Sequence, residues 1–463
     1  MKIKVIGAAG GEVTGSAYVV ETNTARVLVE CGIFQGGRAA EAKNRAPIAP
    51  RQSLDAVLVT HAHLDHTGRL PMLVKSGYKG FVYATPATIE LTSLILRDSA
   101  KIQAQDMERL NRKRQRAGMK WEEALYTPDD AEAIIKRLTP VPYTKPTTVA
   151  PGIQACFAEA GHLLGSASIQ LTVDEDGKKK TVVFSGDLGP KGAPILQDFE
   201  PFHSANLVFQ ESTYGDRDHK PFSETVEEFV EIITDAVKQG GRILVPTFAV
   251  GRAQVITMLL GWMFKNKRVK PFPIFLDSPM AIEAAKITMR HPELFDDEMK
   301  EYMRDGADRV NLRTLRATAT VEESKSINEC QGPCLIMAGA GMCNAGRILH
   351  HMKHSLWRAG THVLIVGYQA GGTLGRQLVD GAKVVSIHGE RIQVNAQVHT
   401  LGGFSAHAGQ KDLLAWFDVV APSRPRLVIT HGETPARDSL AAQILKRNKI
   451  RAELPAAGDV ITL

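Results

Sequence analysis

Cysteine is scarce in this sequence and forms no paired motif. The chain of 463 residues has five cysteines, an odd number, and no two of them form a CxxC pair. This distribution favours neither a disulfide framework nor a thiolate zinc site. We therefore expect a reducing compartment, the cytoplasm, for this protein.

Long apolar runs, repeats and low-complexity segments are absent as well. No stretch of about 18 apolar residues could span a bilayer, so no membrane partner is expected. Glu12 interrupts the N-terminal apolar residues before a signal-peptide core could develop. The hydrophobic content of 44% and the length are sufficient for two or three domains with apolar cores. The net charge of +6 permits a polyanionic partner but does not establish one.

The spacing of apolar residues changes along the chain. Over about the first 95 residues, short apolar runs and glycine-rich turns are typical of an antiparallel or mixed sheet. A helical pattern follows from about Thr88 to Leu138. After about Pro201, strands and helices alternate to about Val385, which predicts βαβ crossovers and a largely parallel sheet. The whole pattern predicts an α/β protein.

Side chains that can bind metals follow four of the predicted strands. His61 and His63 come after "LDAVLVT", and the other three strands are followed by His162, Asp187 and His431. For any one of these residues, ordinary strand termination is an equally simple explanation. The stretch "HAHLDH", residues 61–66, is different because imidazoles at i and i+2 of an extended segment point the same way, while the residues in the following turn point elsewhere. Six residues can therefore serve two neighbouring ions.

The ligands divide between two zinc ions. One ion would take His61, His63 and His162, the other would take Asp65, His66 and His431, and Asp187 would bridge them. Each ion would keep a position for a shared hydroxide, as a catalytic zinc does. Two ions about 3.5–4 Å apart stabilise both the attacking and the leaving oxygen in phosphodiester hydrolysis. The pattern thus predicts a two-metal hydrolase.

Six motifs carry a family resemblance. In chain order they are "THAHLDHTGRLP", "AGHLLGSAS", "FSGDLG", "QESTYGDR", "GGFSAHAG" and "VITHGE". They resemble the metallo-β-lactamase superfamily and, within it, the β-CASP nucleases. The resemblance implies a four-layered αββα sandwich with an inserted α/β β-CASP domain built on a mainly parallel sheet. We expect the sandwich to comprise residues 1–203 and 393–463, and the inserted domain to comprise residues 204–392.

The same resemblance implies roles for individual residues. The six ligands from His61 to Asp187 match the superfamily's metal-binding motifs, while Glu211, His407 and His431 match the three motifs that mark β-CASP enzymes. His407 would be the general acid that protonates the leaving 3′ oxygen, and Glu211 would orient it. The expected catalytic residues are Asp65, Asp187, Glu211 and His407. Where the family usually carries Asp to support the HxHxDH loop, this chain has the longer Glu30.

Three Gly-Arg pairs in the expected insert stand at predicted helix starts. Backbone N–H groups at a helix start and an arginine side chain both suit phosphates, although a single pair is also ordinary turn chemistry. The segment "GMCNAGR" lacks the Lys and the Ser/Thr of a nucleotide-binding loop, so an NTPase is excluded. The expected substrate contacts are Thr247, Arg252, Gly346, Arg347, Gly375 and Arg376.

A basic run between Arg109 and Lys120 has two interpretations. It is flanked by Glu108, Glu122 and Glu123, which is typical of a solvated helix face. The alternative is that the run guides RNA toward the active site. The composition of the run does not decide between these interpretations.

The function that the resemblance implies is a zinc-dependent ribonuclease with two zinc ions. A His at position 431 is typical of the branch that acts on single-stranded RNA, by a two-metal hydroxide mechanism with a His general acid. The chain extends only about thirty residues beyond His431, so we expect an endoribonuclease without the extra C-terminal domain of bacterial 5′-exonucleases. The alternatives are a 5′-exoribonuclease, a small-molecule metallo-hydrolase and an inactive scaffold. A homodimer is compatible with the sequence.

Overall fold

The computed structural model describes residues 1–36, 38–48, 54–304 and 313–463. They form two units: the first comprises Met1–Gly192, Gln197–Asp218 and His407–Leu463, and the second comprises Ala193–Leu196 and His219–Ala406. The domain limits expected from the sequence stay a prediction. Among the described helices, none combines the length and the apolar surface that a bilayer crossing requires.

Seven strands form the first sheet of the first unit. They are β1 (Lys2–Gly7), β2 (Ala17–Glu21), β3 (Arg26–Val29), β4 (Ala56–Leu58), β5 (Phe81–Ala84), β6 (Leu138–Pro140) and β22 (Val460–Thr462). Their order across the sheet is β22-β1-β2-β3-β4-β5-β6. Neighbours from β22 to β3 are antiparallel, and those from β3 to β6 are parallel. The sheet is mixed, in agreement with the sequence pattern.

The second sheet of this unit also has seven strands. They are β7 (Thr147–Ala150), β8 (Ile153–Glu159), β9 (Ala167–Glu175), β10 (Lys178–Phe184), β11 (Leu207–Gln210), β20 (Arg426–Ile429) and β21 (Ala452–Glu453). Their order is β21-β20-β11-β10-β9-β8-β7. Because β10, β11 and β20 are parallel neighbours, the residues that follow these three strands emerge at one edge of the sheet.

The two sheets pack face to face over one apolar core. Alternate side chains point inward, so that Ile3 and Val5 of β1 share a buried cluster with Phe157 of β8 and Leu171 of β9. Burying each of these side chains stabilises the fold by about 1.5–3 kcal/mol.

Helices cover the outer face of each sheet. The helices of this unit are α1 (Arg38–Arg45), α2 (Leu64–Thr67), α3 (Leu70–Lys75), α4 (Pro86–Arg116), α5 (Pro128–Ile135), α13 (Gln410–Val420) and α14 (Thr434–Asn448). Side chains of α3, α4 and α5 pack on the first sheet, and those of α13 and α14 pack on the second. The four layers confirm the expected αββα sandwich.

The second unit is built on a six-stranded sheet. Its strands are β12 (Arg242–Pro246), β13 (Ile274–Leu276), β14 (Leu315–Ala317), β15 (Cys334–Ala338), β16 (Thr361–Ile365) and β19 (Gln397–Thr400). The order is β14-β13-β15-β12-β16-β19, and every neighbouring pair is parallel. This confirms the expected parallel sheet.

Helices connect these strands, as parallel strands require. They are α6 (Phe222–Lys238), α7 (Arg252–Lys265), α8 (Pro279–Arg290), α9 (Asp297–Arg304), α10 (Val321–Ser326), α11 (Arg347–Ser355) and α12 (Leu374–Val379). A separate antiparallel pair consists of β17 (Val384–Ile387) and β18 (Glu390–Gln393). The carboxyl ends of the parallel strands meet at one edge of the sheet, where the predicted substrate contacts begin.

Candidate metal centre

The seven predicted metal ligands come together in the first unit. His61 and His63 follow β4, and Asp65 and His66 lie on the short helix α2. The remaining three ligands follow strands of the second sheet, namely His162 after β8, Asp187 after β10 and His431 after β20. Their ligand atoms fall into two groups, each within 4.8 Å, that can hold a metal ion.

The first group joins three imidazoles and one carboxylate oxygen. His63 Nδ1 lies 3.1 Å from His61 Nε2 and 3.2 Å from His162 Nε2. Asp187 Oδ2 lies 3.5 Å from His61 Nε2 and 3.8 Å from His162 Nε2. Four potential ligand atoms therefore converge on one point.

The second group lies on the other side of Asp187. His66 Nε2 and His431 Nε2 are 3.2 Å apart, and Asp65 Oδ2 lies 3.8 Å from the former and 3.6 Å from the latter. Asp187 Oδ1 is 3.4 Å from His66 Nε2 and 3.5 Å from His431 Nδ1. One oxygen of Asp187 thus faces each group.

This geometry fits divalent metal ions. A tetrahedral zinc with Zn–N distances of about 2.0 Å has ligand atoms roughly 3.3 Å apart, which is close to the separations in both groups. Both carboxylate oxygens of Asp187 are buried, and neither has a hydrogen-bond partner among the described residues. A buried carboxylate without donors is costly unless a cation neutralises it. The imidazole and carboxylate donors are those that zinc accepts.

The protonation of the first group also suits metal binding. Burial lowers the pKa of His61 well below its usual value and that of His63 to about 4. Both rings are therefore neutral at physiological pH, which is the form that binds metals.

Around Asp187, the charges of neighbouring groups oppose the effect of burial on the pKa values. Burial alone would raise the pKa of Asp187, but His431, His66 and His61 outweigh it and hold the pKa well below its usual range. Burial likewise opposes a charged His66, but Asp187 and Glu30 raise its pKa. A bound cation would compete with protonation of this imidazole.

Three neighbours fix the orientation of the imidazoles. Thr60 Oγ1 lies 3.0 Å from His61 Nδ1, Glu30 Oε2 lies 3.1 Å from His66 Nδ1, and Thr213 Oγ1 lies 3.2 Å from His431 Nδ1. Such contacts orient a ligating ring and tune its basicity. Of these three neighbours, only Glu30 was predicted from the sequence, and both threonines were missed. The only available signal was their position, one residue before His61 and two residues after Glu211.

Glu30 reaches two places at once. Its Oε1 accepts a hydrogen bond from the backbone N–H of Thr60 at 2.7 Å, while Oε2 contacts His66. Its backbone adopts a left-handed φ of 65°. The longer side chain therefore links the end of β3, the segment that carries His61 and the helix that carries His66.

The loop that carries His162 is held by a buried network. Glu159 Oε1 accepts hydrogen bonds from the backbone N–H groups of Ala160 and Gly161, and Ser166 Oγ accepts from the N–H of His162. Burial raises the pKa of Glu159 to about 7. Glu159 and Ser166 were not predicted from the sequence, because each is typical there of an ordinary strand or turn residue.

His407 and Glu211 lie beside the metal ligands. His407 Nδ1 is 3.4 Å from Glu211 Oε1 and 3.9 Å from Asp187 Oδ2. Glu211 is fixed by the backbone N–H groups of Leu188 and Thr213, which donate to its two oxygens at 2.8 and 2.9 Å. Burial disfavours a charged His407, but Glu211 outweighs it, so the pKa is raised. The catalytic roles of this pair stay a prediction.

The predicted substrate contacts lie in the second unit. Thr247 follows β12, and Arg252 and Arg347 are the first residues of α7 and α11. Gly346 has a φ of 80°, and a Cβ atom there would lie 2.3 Å from the carbonyl oxygen of Gly339. Only glycine fits this close approach.

The Gly375-Arg376 pair does not stand at the very start of its helix, and the side chains of Arg347 and Arg376 both contact other residues of the protein. Gly375 and Arg376 lie inside the first turn of α12, whose N-cap is Thr373. Arg376 pairs with Asp380 on the helix surface. The guanidinium of Arg347 donates to Asp277 Oδ1 at 2.7 Å and to two backbone carbonyls. Its contact with phosphate stays a prediction.

Three family models match the chain. The model described as "Metallo-beta-lactamase superfamily" matches residues 10–247, and the "Beta-Casp domain" matches residues 253–378. The model described as "Zn-dependent metallo-hydrolase RNA specificity domain" matches residues 391–455.

Curated relatives are similar over the whole chain. "Ribonuclease TTHA0252" of Thermus thermophilus is 41% identical over 435 residues, which are 94% of this chain and 93% of the relative. "Transcription termination factor FttA" of Methanocaldococcus jannaschii is 31% identical over 474 residues, which cover 100% of this chain and 71% of the relative. The same factor of Cenarchaeum symbiosum is 31% identical over 98% of this chain and 70% of its own length.

The fold is also found among solved structures. The "Crystal Structure of a Protein of Unknown Function from Enterococcus faecalis V583" superposes with a TM-score of 0.54 and 14% sequence identity, covering 100% of this chain and 99% of that chain. At this identity the likeness concerns the fold alone.

Proposed function

The chain belongs to the β-CASP group of the metallo-β-lactamase superfamily, and on this premise we propose that it is a zinc-dependent ribonuclease that cleaves single-stranded RNA internally. The observation that carries the proposal is Asp187, whose two buried oxygens each face one group of ligands. A metal-binding site alone would also serve other hydrolases. The preference for RNA is supported by the relative named a ribonuclease and by the RNA specificity model at residues 391–455.

The residues of the site have two roles, which are to bind metal ions and to orient the metal-binding imidazoles. His61, His63 and His162 would hold one ion, Asp65, His66 and His431 a second, with Asp187 shared between them. Two bound zinc ions would supply Lewis-acid stabilisation of the phosphodiester and a nucleophile at neutral pH. Thr60, Glu30 and Thr213 keep the three contacted rings in place.

His407 would deliver the proton to the leaving 3′ oxygen. Glu211 contacts Nδ1 of the ring, so that Nε2 lies on the opposite side of the imidazole from the carboxylate. The carboxylate fixes the orientation of the ring and favours a proton on Nδ1. Glu211 can do this because two backbone N–H groups hold it in place. Glu211 is therefore a positioning residue, whereas His407 acts on the reacting atoms.

A gel time course tests the proposal. The purified protein is incubated with 5′-labelled single-stranded RNA and with DNA of the same sequence, each with and without a chelator. Internal RNA fragments that disappear with chelator, together with intact DNA, are the expected result. Labelled mononucleotides from the first time point would mean 5′-exonuclease action instead. No cleavage of either strand by protein with bound zinc would contradict the proposal and favour a small-molecule substrate.

A variant separates the proton donor from the metal ligands. We expect His407→Ala to lower the rate of RNA cleavage about 10²- to 10⁴-fold while metal content is retained. His203→Ala, which replaces an exposed histidine of the same unit, is the matched control and should leave the rate unchanged. Equal rates for the two variants would remove His407 from the mechanism.

The cytoplasmic location and the homodimer stay predictions.

A further inference from the structure

The far end of α4 carries an exposed surface that the metal centre does not use. The buried residues of α4 all lie between Ala87 and Ala100, so the second half of this 31-residue helix contains only exposed and half-buried residues. We call the surface formed by Lys113, Arg116, Met119, Lys120 and Trp121 the α4 tip. The side chain of Trp121 is 72% exposed and that of Met119 is 53% exposed.

The chain folds back at the tip in a fixed way. The N–H of Met119 donates to the carbonyl of Arg114, and Arg114 Nε donates to the carbonyl of Lys120 at 2.6 Å. Asn111 and Glu122 exchange two hydrogen bonds of 2.9 Å, which hold the segment after the helix against its last turns. Lys120 and Trp121 therefore lie beside the cations of the helix in a defined arrangement.

The acidic groups around the tip are already paired. Asp106 pairs with Arg109, and Glu108 pairs with Arg112. Glu122 and Glu123 lie near Arg114 and Lys75. Within the part of the chain that the structure describes, Lys113, Arg116 and Lys120 have no ion-pair partner. The surface consequently carries three uncompensated positive charges next to an exposed indole ring.

Among the described residues, no aromatic ring and no cation stacks on the indole ring of Trp121, so the face of the ring is open to solvent. An aromatic ring beside unpaired cations is the combination that binds single-stranded nucleic acid, because bases stack on the ring and phosphates bind the cations. A second copy of this basic chain would bring like charges together here. Charge complementarity therefore favours a polyanion.

We propose that the α4 tip is a second binding surface for single-stranded RNA, with phosphates at Lys113, Arg116 and Lys120 and a base stacked on Trp121. The choice of RNA rests on the proposed function. The interpretation also refines the basic run of the sequence, since Arg109, Arg112 and Arg114 are engaged within the protein whereas the three cations of the tip are not.

The position of the tip sets the length of RNA that can use it. The hydroxyls of Thr85 and Thr88, at the start of α4, donate to the carbonyl of Gly165 in the loop that carries His162. A helix of 31 residues is about 46 Å long. An RNA that contacts both the metal centre and the tip must span about 14 stacked nucleotides at roughly 3.4 Å each. An RNA of six stacked nucleotides spans about 20 Å, so it cannot contact the metal centre and the tip at the same time.

Kinetics with RNA of two lengths test the inference on the full chain. The substrates are a 6-nucleotide and a 40-nucleotide single-stranded RNA, and the variant is Lys113→Gln/Arg116→Gln/Lys120→Gln. For the long RNA we expect KM to rise at least 10-fold and kcat to stay unchanged. Each lost phosphate contact lowers the steepness of log affinity against log salt by about 0.7, so the loss of three contacts should lower it by about 2. Kinetic constants for the short RNA should not change.

Two further sets of variants isolate the surface. Trp121→Ala should weaken binding of the long RNA about 10-fold, and Trp121→Tyr, which retains a stacking ring, should restore most of it. Lys178→Gln/Lys179→Gln/Lys180→Gln removes the same charge from another part of the first unit and is the matched control. If this control raises KM for the long RNA as much as the tip variant does, the tip has no special role and the inference is wrong.

Other outcomes are equally decisive. An unchanged KM for the long RNA in the tip variant, with normal cleavage of both substrates, would overturn the inference and leave the ribonuclease proposal intact. Tip-dependent binding of the long RNA without any cleavage would support the inference and contradict the ribonuclease proposal. Sedimentation could instead show that Trp121→Ala dissociates a dimer while the affinity for long RNA is unchanged. The surface would then join two copies of the chain, and the inference would be wrong.

Discussion

Two buried aspartates, one in each unit, differ in what surrounds them. Asp187 follows β10, and both of its oxygens lie among imidazole nitrogens at 3.4–3.9 Å without a hydrogen bond. Asp277 follows β13 in the second unit, and its side chain is equally inaccessible to solvent. Four groups donate to its oxygens at 2.6–2.7 Å: His351 Nε2, Arg347 Nη1, Thr318 Oγ1 and Ser324 Oγ.

The number of hydrogen-bond donors distinguishes a carboxylate that stabilises the fold from one that is suited to binding a metal ion. A buried carboxylate that the protein supplies with donors is already satisfied and holds its neighbours together. A buried carboxylate without donors must obtain its stabilisation from something that binds. Burial and residue type are the same in both cases, so the donors alone make the distinction.

The largest effect is expected from Asp187→Asn. The substitution removes the charge that both groups share, so bound metal should fall and the rate of RNA cleavage should drop about 1000-fold or more, since metal catalysis is worth several kcal/mol. Elemental analysis and single-turnover cleavage measure both quantities. Full metal content with normal turnover would contradict the assignment of Asp187.

Asp277→Ala should act on stability instead of metal. It leaves the buried His351 and the half-buried Arg347 without their acceptor, so the free energy of unfolding of the second unit should fall by about 3–5 kcal/mol. Urea denaturation measures this change, and metal content should stay normal. Asp235→Ala on the exposed face of α6 is the control, with an expected change within about 0.5 kcal/mol. A loss of metal in Asp277→Ala would erase the distinction between the two aspartates.

Glu30→Gln tests how far the ligand environment extends. The amide retains the shape of the side chain but weakens the contact with His66, so zinc affinity should fall about 10- to 100-fold. Competition with a chromogenic chelator measures this affinity. An affinity equal to that of the native protein would show that Glu30 only supports the backbone of Thr60.

The smallest effect concerns acid stability. Burial would raise the pKa of Asp277, but hydrogen bonds from His351, Ser324 and Thr318 outweigh it and lower the pKa from 3.8 to about 2. Because the folded-state pKa is the lower one, the carboxylate stabilises the fold fully above about pH 4, and this contribution is lost as the pH falls toward 2. The difference in free energy of unfolding between the native protein and Asp277→Asn should therefore shrink over this range. A constant difference from pH 5 to pH 2 would argue against it.

Much of the site could be predicted because its residues follow recognisable strands. His61, Asp187 and His431 each stand after a short apolar run, and the spacing within residues 61–66 indicates how the ligands divide between two ions. The sandwich and the parallel sheet likewise follow from apolar spacing combined with the family resemblance. These features depend on short segments of sequence that are informative by themselves.

The parts that could not be predicted depend on contacts between distant residues. Arg347 has the residue type and the position of a phosphate contact, but its acceptor, Asp277, lies 70 residues earlier in the chain. Thr60 and Thr213 are ordinary polar residues until the fold places them against imidazoles. The strand β11 opens the strand–helix alternation of the sequence, yet it pairs with β10 and β20 in the second sheet of the first unit. Local patterns do not report pairing partners.

The parallel arrangement of β10, β11 and β20 has a consequence for the order of synthesis. A ribosome releases the chain from its N-terminus, and domains fold as they emerge. Six of the seven proposed ligands precede the second unit in the chain, whereas His407 and His431 follow it. The second group of ligands is therefore completed only when β20 has been synthesised and has paired with β11. A nascent or truncated chain that ends before this strand lacks the complete metal centre, so hydrolysis becomes possible only after His431 has been synthesised.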